Sequence, residues 1–226
     1  MAYRFQRDLE DSSLDSYLQS ATAPPFHATD YLSIVARFRA GNAVDNHTLV
    51  TLRLTDTNTK QNLYLLRACG GLSGDPIRFA AFYEGTEYYV QSTAAFSANT
   101  WHTVIATANN TDRKLNISLD GGTFVTQTIA KLPNGTPWFV QISGLVYYRA
   151  ISGSMAELAL YNCDLSASAY ADDVASLVKG FSPARVRPPN LIAYWPLVRG
   201  LQDVRGGCTL AAYNNPDVVE HCRVIS

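Results

Sequence analysis

Aromatic side chains close to polar ones give this sequence its clearest capacity for binding. An aromatic ring offers an apolar face for a sugar, while amide and carboxylate groups beside it can bind the hydroxyls. Six such residues lie on segments predicted to be neighbouring strands: Tyr83, Tyr88, Tyr89, Trp138, Tyr147 and Tyr148. Successive strand residues face opposite sides, so at least half of the six must belong to the core or to an interface. The others are predicted to bind carbohydrate.

The carboxylates do not have the spacing that glycoside hydrolysis needs. Retaining enzymes hold two carboxyl groups about 5 Å apart. Glu84 and Glu87 lie three residues apart across a glycine-containing turn, and the Asp172-Asp173 pair lies on a predicted helix. Both pairs are interpreted as solvated surface charge.

The histidines also lack a catalytic setting. None of the four stands in a recognisable serine or cysteine nucleophile motif: His27, His47, His102 and His221. His102 follows Trp101 on an alternating segment and is expected to be partly buried and hydrogen-bonded within a sheet. The sequence therefore predicts that the protein is not an enzyme.

Composition and charge narrow the range of partners. The 226 residues are 47% hydrophobic and 16% charged, which favours one domain with a substantial core. The formal net charge is -1, and the Lys and Arg residues are scattered, so neither nucleic acid nor a membrane is an expected partner.

No apolar run approaches the roughly 18 residues that span a bilayer. The first ten residues lack the apolar segment of a signal peptide, which predicts folding in a cytoplasm, whatever the final location.

Alternation of apolar and polar residues predicts about a dozen short strands. The clearest alternating segments are 31–39, 48–54, 115–119 and 153–161. Segments 48–54 and 61–68 are predicted to form a hairpin, as are 77–83 and 88–93. Many short strands at roughly ten-residue spacing favour two packed antiparallel sheets.

One short helix is predicted after the last of these strands. Asp164 or Ser166 is expected to cap it, and Gly180 is expected to end it. Residues 1–25 are predicted to form an N-terminal arm, and residues 26–226 a sandwich. The sandwich includes a return strand at 191–198, because the roughly forty residues after the proline-rich passage are too few for an independent core.

Four segments, in their order and spacing, resemble the laminin-G-like branch of the concanavalin A-like lectin and glucanase superfamily. They are 31–39, 99–107 with its Trp-His pair, 115–122 with its Asp-Gly-Gly turn, and 153–166. The resemblance implies an all-β, two-sheet antiparallel jelly-roll sandwich with one short helix. Segments 180–183 and 190–197 also resemble single-domain members found in bacteriophage structural proteins.

The resemblance also implies calcium as a candidate ligand. Many laminin-G-like domains hold one calcium ion at the rim of the sandwich with Asp, Asn and backbone oxygens. Two turns here supply such oxygens, from Asp56 and Asn58 and from Asn109, Asn110 and Asp112. Such residues are also frequent in turns for conformational reasons. No cofactor is required, and calcium is an expectation at these five residues.

The leading hypothesis is a non-enzymatic virion surface protein, either a capsid decoration or a head-fibre-like module. It would dock on the virion shell or other structural proteins and bind cell-surface glycans weakly, because many copies can raise the avidity of a weak site by on the order of 10² to 10⁴. A homo-oligomer is compatible with this role. The alternatives are a stand-alone carbohydrate-binding or adhesion module, including a phage tail receptor-binding module, and a degenerate glycosidase.

Overall fold

The computed structural model describes residues 2–5, 15–20, 31–43, 45–53, 63–70, 72–133, 139–144, 150–197, 200–205 and 207–219. Within these ranges, fifteen strands form two antiparallel sheets, which confirms the predicted sandwich. The same ranges contain no helix with the length and apolar character needed to cross a membrane.

The strands and the helix are numbered in chain order. Their bounds are β1 (Ala2–Phe5), β2 (Tyr17–Ser20), β3 (Tyr31–Ala40), β4 (Asn46–Arg53), β5 (Leu63–Cys69), β6 (Pro76–Tyr83), β7 (Thr86–Ala95), β8 (His102–Asn109), β9 (Lys114–Leu119), β10 (Val125–Thr128), β11 (Phe139–Ile142), β12 (Gly153–Tyr161), α1 (Ala171–Lys179), β13 (Leu191–Trp195), β14 (Leu210–Tyr213) and β15 (Asp217–Val219). The first sheet has the order β10-β9-β8-β3-β12-β1-β15, with β13 also paired to β12. The second has the order β14-β2-β11-β4-β5-β6-β7.

The main core lies between the two sheets and is filled by alternate residues of their strands. Phe38 of β3 and Tyr64 of β5 are fully buried there. Trp195 of β13 joins the same core, and its indole N–H donates to the Cys208 carbonyl at 2.9 Å. The pairing of β13 with β12 confirms the predicted return strand.

A second apolar cluster holds α1 against the outer face of the first sheet. Leu177 of the helix packs there with Ile105 and Tyr161. Gly180 ends the helix in the left-handed conformation at φ 101°, as predicted. The predicted cap is wrong, because Tyr170 occupies the N-cap position and makes no side-chain cap bond. Asp164 instead accepts the backbone N–H of Ser166 in the turn before the helix.

The first twenty residues contain two strands of the sandwich, and this differs from the predicted arm. β1 pairs with β12 and β15 in the first sheet, and β2 pairs with β11 and β14 in the second. Phe5 and Leu18 belong to the main core. These strands have only four residues each, which is too short for alternation to stand out in the sequence.

We expect Leu18→Ala to lower the free energy of unfolding by about 2–5 kcal/mol, because it removes a fully buried core side chain. Chemical denaturation followed by circular dichroism measures this difference. Gln19→Ala on the same strand, where the side chain is only partly buried, serves as the control. A Leu18→Ala change within about 0.5 kcal/mol, typical of exposed positions, would show that this segment behaves as an arm.

Candidate functional site

The structure separates the predicted aromatic residues by the face on which they lie. Tyr88 of β7 packs against the core, whereas Tyr89 lies on the outer face of the second sheet with 43% of its surface exposed. Tyr83 ends β6 and is partly buried, with the ammonium nitrogen of Lys131 5.2 Å from the centre of its ring. Trp138, Tyr147 and Tyr148 lie outside the described residues. Among the three described tyrosines, Tyr89 is the one positioned to stack against a ligand.

Four polar side chains accompany Tyr89 on this outer face. We call the set of Arg67, Arg78, Glu87, Tyr89 and Gln91 the Tyr89 cluster. The strand register brings them together, because Arg78 of β6 lies directly opposite Arg67 of β5 on one side and Gln91 of β7 on the other. Glu87, Tyr89 and Gln91 alternate along β7 and therefore share a face.

Glu87 links the two arginines of the Tyr89 cluster. Arg67 Nη2 donates to Glu87 Oε1 at 2.7 Å, and Arg78 Nη1 lies 3.8 Å from the same oxygen. The Arg67 side chain is 7% exposed, and that of Glu87 is 29% exposed. Glu87 is thus a partly buried ion-pair partner, which differs from its interpretation as solvated charge. Glu84 is exposed in the adjoining turn, as expected.

Arg78 also positions Tyr89 and Gln91. Its guanidinium carbon lies 4.0 Å from the centre of the Tyr89 ring, a cation–π arrangement. When the Gln91 amide is oriented so that its oxygen faces the Arg78 guanidinium, that oxygen accepts from Nη2 at 3.0 Å and from Nε at 3.3 Å, which leaves the amide NH₂ as a donor. An exposed ring next to oriented donors and a carboxylate acceptor can hold one sugar residue by stacking and hydroxyl hydrogen bonds.

Apolar residues lie beside the Tyr89 cluster on the same face of the second sheet. Leu65 and Ala80 occupy the same register row as Tyr89, and both are fully buried. They belong to a small apolar cluster with Leu63 and Phe82. The Tyr89 cluster therefore lies on edge strand β7 and on the next two strands of the sheet, β6 and β5, alongside this buried patch.

The turn between β8 and β9 contains the second predicted calcium set, and hydrogen bonds account for its shape. The side-chain oxygen of Asn109 accepts the backbone N–H of Asp112 at 2.9 Å. The Asn109 amide nitrogen donates to Asp164 Oδ2 at 3.0 Å, and to Asp112 Oδ2 at 3.3 Å. Asn110 lies within the same turn and is partly buried.

Calcium binding stays a prediction at both turns. Asp56 and Asn58, the first predicted set, lie outside the described residues. In the part of the chain that the structure describes, no three His, Cys, Asp or Glu side chains are grouped to hold a metal ion. Asn109 uses its oxygen within the turn, so it would have to give up the Asp112 bond in order to bind calcium.

His102 is 6% exposed at the start of β8, as the sequence predicts. Its Nδ1 lies 2.7 Å from Asp120 Oδ2, and its Nε2 accepts the Ser97 backbone N–H at 3.0 Å. The Ser97 carbonyl oxygen lies 3.1 Å from the same Nε2, so the neutral ring accepts from the Ser97 N–H and the protonated ring donates to that carbonyl. Burial alone would lower the pKa of the imidazole, but Asp120 and the Ser97 carbonyl outweigh it and raise that pKa. The Ser97 hydroxyl oxygen lies 3.3 Å from the same Nε2, farther away than the two backbone groups of Ser97 that contact this nitrogen. These contacts hold the segment at Ser97 against the start of β8.

Comparison with known proteins identifies relatives of this fold. The sequence model Laminin_G_3 of the concanavalin A-like lectin/glucanases superfamily matches residues 11–169. No curated protein matches the sequence. Among solved structures, a Bacteroides ovatus protein with a proposed carbohydrate-binding role is similar at TM-score 0.66 and 17% identity. The match covers 100% of this chain and 61% of that protein, so the chain spans about three fifths of its length.

Two further solved structures are similar to this chain. A native heptameric SAP-like pentraxin from Limulus polyphemus is similar at TM-score 0.64 and 11% identity, over 96% of this chain and 92% of that chain. A sialidase CBM40 module from Ruminococcus gnavus, bound to α2,3-sialyllactose, is similar at TM-score 0.52 and 13% identity, over 71% of this chain and 97% of that chain. At these identities the likeness supports the fold alone.

Proposed function

Because the chain belongs to the concanavalin A-like lectin/glucanases superfamily, we propose that it is a non-enzymatic glycan-binding module whose binding site is the Tyr89 cluster. The observation that carries the proposal is the exposed Tyr89 ring, held by Arg78 beside the carboxylate of Glu87 and the amide of Gln91. The similar module that holds sialyllactose and the similar protein with a proposed carbohydrate-binding role support the same ligand class.

The cluster suits binding better than hydrolysis. Glycoside hydrolysis needs one carboxyl group that can donate a proton and a second that acts as nucleophile or base. The Tyr89 cluster contains one carboxyl group, that of Glu87, and it is paired with the guanidinium groups of Arg67 and Arg78. Asp173 of α1, on the other side of the sandwich, is paired with Arg187 at 3.4 Å. We therefore assign Glu87 to hydroxyl binding.

We expect Tyr89→Ala to weaken oligosaccharide binding about tenfold or more, because loss of the ring removes about 1.4 kcal/mol or more of stacking and contact energy. An array of immobilised neutral and sialylated oligosaccharides, probed with the protein on multivalent beads, would detect binding. Calorimetry with lactose and α2,3-sialyllactose would then give the affinities for single sites.

Tyr31→Ala is the matched control, because Tyr31 has a similar exposed fraction, 38%, and lies on the first sheet. Binding that survives Tyr89→Ala at full strength, or that falls equally in Tyr31→Ala, would rule out the Tyr89 cluster as the site. Release of reducing sugar from the bound oligosaccharides would contradict the non-enzymatic assignment.

We further propose that the module is carried in many copies on a virion surface, as a capsid decoration or head-fibre-like protein docked on shell proteins. Support comes from the likeness of segments 180–183 and 190–197 to members found in bacteriophage structural proteins. A weak glycan site also gains most from repeated display. The alternative is an adhesion module, such as a phage tail receptor-binding module.

Electron microscopy of purified particles containing this chain separates these two placements. Density for the sandwich at regular positions on the shell supports the decoration proposal, and density at the tail tip supports the receptor-binding alternative. Particles that lack the chain after purification would contradict both placements without affecting the proposal of glycan binding.

A further inference from the structure

A polar groove lies on the first sheet, remote in the fold from the Tyr89 cluster. It has a volume of about 530 Å³ and is formed where β1, β3 and β12 lie side by side. The polar side chains that line it belong to Arg4, Arg39, Asn99, Ser152 and Ser154. Gly153 contributes backbone without a side chain.

The strand register places two arginines on either side of one serine. Arg4 of β1 lies opposite Ser154 of β12, and Ser154 lies opposite Arg39 of β3. Neighbouring strands are about 4.8 Å apart, so the Cα atoms of the two arginines lie about 10 Å apart on the same face. Both arginines are exposed, and their long side chains can converge on a ligand above Ser154.

The charge in the groove is positive. Among the described residues, neither Arg4 nor Arg39 forms a salt bridge, whereas Arg37, Arg67, Arg78 and Arg187 all do. The described residues that line the groove include no Asp or Glu. Asp217 of β15 lies opposite Arg4 on the side away from Arg39, so the pair retains a surplus of positive charge.

We propose that this groove binds the phosphate or sulfate monoester of a small polar molecule. Two guanidinium groups can each donate a pair of hydrogen bonds to the oxygens of a tetrahedral oxyanion, and the Ser154 hydroxyl can donate a further one. An oxyanion fills only a small part of about 530 Å³, a volume in the range of small-molecule sites. The remaining space accommodates the polar group that carries the ester.

Titration calorimetry of the full chain tests the assignment with glucose 6-phosphate, glucose 6-sulfate, inorganic phosphate, inorganic sulfate and glucose. At least one ester should bind saturably and more tightly than both its inorganic anion and glucose. Arg4→Gln and Arg39→Gln should each weaken binding tenfold or more. Arg39→Lys should weaken it less, because it keeps the charge but loses the paired hydrogen bonds.

Arg185→Gln, at an exposed arginine outside the groove, is the control and should leave binding unchanged. The melting temperature of each variant shows whether it is folded. In the unmodified protein, binding should weaken as sodium chloride rises from 20 to about 500 mM, because salt screens exposed charges. Absence of ester binding, insensitivity to both Gln variants or to salt, or inorganic anions binding as tightly as the esters would overturn the proposal. The outcome is independent of glycan binding at the Tyr89 cluster.

Discussion

Replacing Gly153 with alanine should lower the free energy of unfolding by about 3 kcal/mol or more, the upper end of the usual cost of overpacking. A methyl group at Gly153 would overlap the backbone oxygen of Arg39 and lie 3.0 Å from the Cα of Ala40. Both contacts are with the backbone of β3, which cannot turn aside as a flexible side chain can. The pair β3–β12 joins the two halves of the first sheet, so its separation disturbs the whole sandwich.

Thermal unfolding provides the measurement. For a chain of this length, about 3 kcal/mol corresponds to a melting temperature roughly 6–12 °C lower. Gly200→Ala is the control, because a methyl group at Gly200 meets nothing within 4 Å. It should change stability by less than about 0.5 kcal/mol. Equal melting temperatures for the two variants would mean that β3 and β12 are not in close contact at Gly153.

The segment that begins at Gly153 shows how far the sequence alone could predict the fold. Its alternation predicts the strand β12, and the structure confirms it. The reason for a glycine at its start depends on the close approach of β3, more than a hundred residues earlier in the chain. Local patterns do not carry that information, because periodicity reports which face a residue occupies but not which strand lies next to it.

Short strands account for most of what could not be predicted about the fold. Four strands have only three or four residues each, so each shows no more than two periods of the apolar–polar alternation; they are β1, β2, β14 and β15. β1 and β15 pair at one edge of the first sheet, and β2 and β14 at one edge of the second. The two ends of the chain therefore complete the two sheets together, which composition and periodicity could not reveal.

The candidate site was predictable only in part. Alternation indicates that Tyr88 and Tyr89 face opposite sides, and the structure places Tyr89 outside. The row of Arg67, Arg78 and Gln91 depends on the register of three strands. A register shift between Pro76 and Arg78 alters the pairing of β6 with β7, and a shift of one residue moves side chains to the other face. The sequence could not fix that register.

We expect the second large effect on stability at a buried polar network between α1 and the first sheet. Arg37 Nε lies 3.5 Å from Glu157 Oε2, and the Tyr194 hydroxyl donates to Glu157 Oε1 at 2.8 Å. Arg37 Nη2 also donates to the Leu177 carbonyl at 2.7 Å, close to the end of the helix. A cation at the C-terminus of a helix stabilises it by binding the last carbonyls. Arg37 therefore joins the helix to β3 and β12.

We expect Arg37→Ala to lower the free energy of unfolding at pH 7 by about 3–5 kcal/mol, because it leaves the Glu157 carboxylate buried without its counter-charge. Burial already raises the pKa of Glu157, although Tyr194 and Arg37 oppose this, and loss of Arg37 raises it further. A carboxyl group whose pKa is higher in the folded than in the unfolded chain gains stability as the pH falls toward the unfolded value. The loss should therefore be smaller at pH 5 than at pH 7 in denaturation experiments.

The double variant Arg37→Ala with Glu157→Gln separates the buried charge from the helix contact. Glutamine keeps an oxygen to accept the Tyr194 hydroxyl but carries no charge, so the double variant should be more stable at pH 7 than Arg37→Ala alone. Residue 157 no longer titrates in the double variant, so the stability of the double variant should not change between pH 5 and pH 7 through this site. Arg185→Ala, at an exposed arginine, should lie within about 0.5 kcal/mol of the unmodified protein. If the double variant is no more stable than Arg37→Ala, the cost arises from the lost Leu177 carbonyl contact and not from an isolated charge on Glu157.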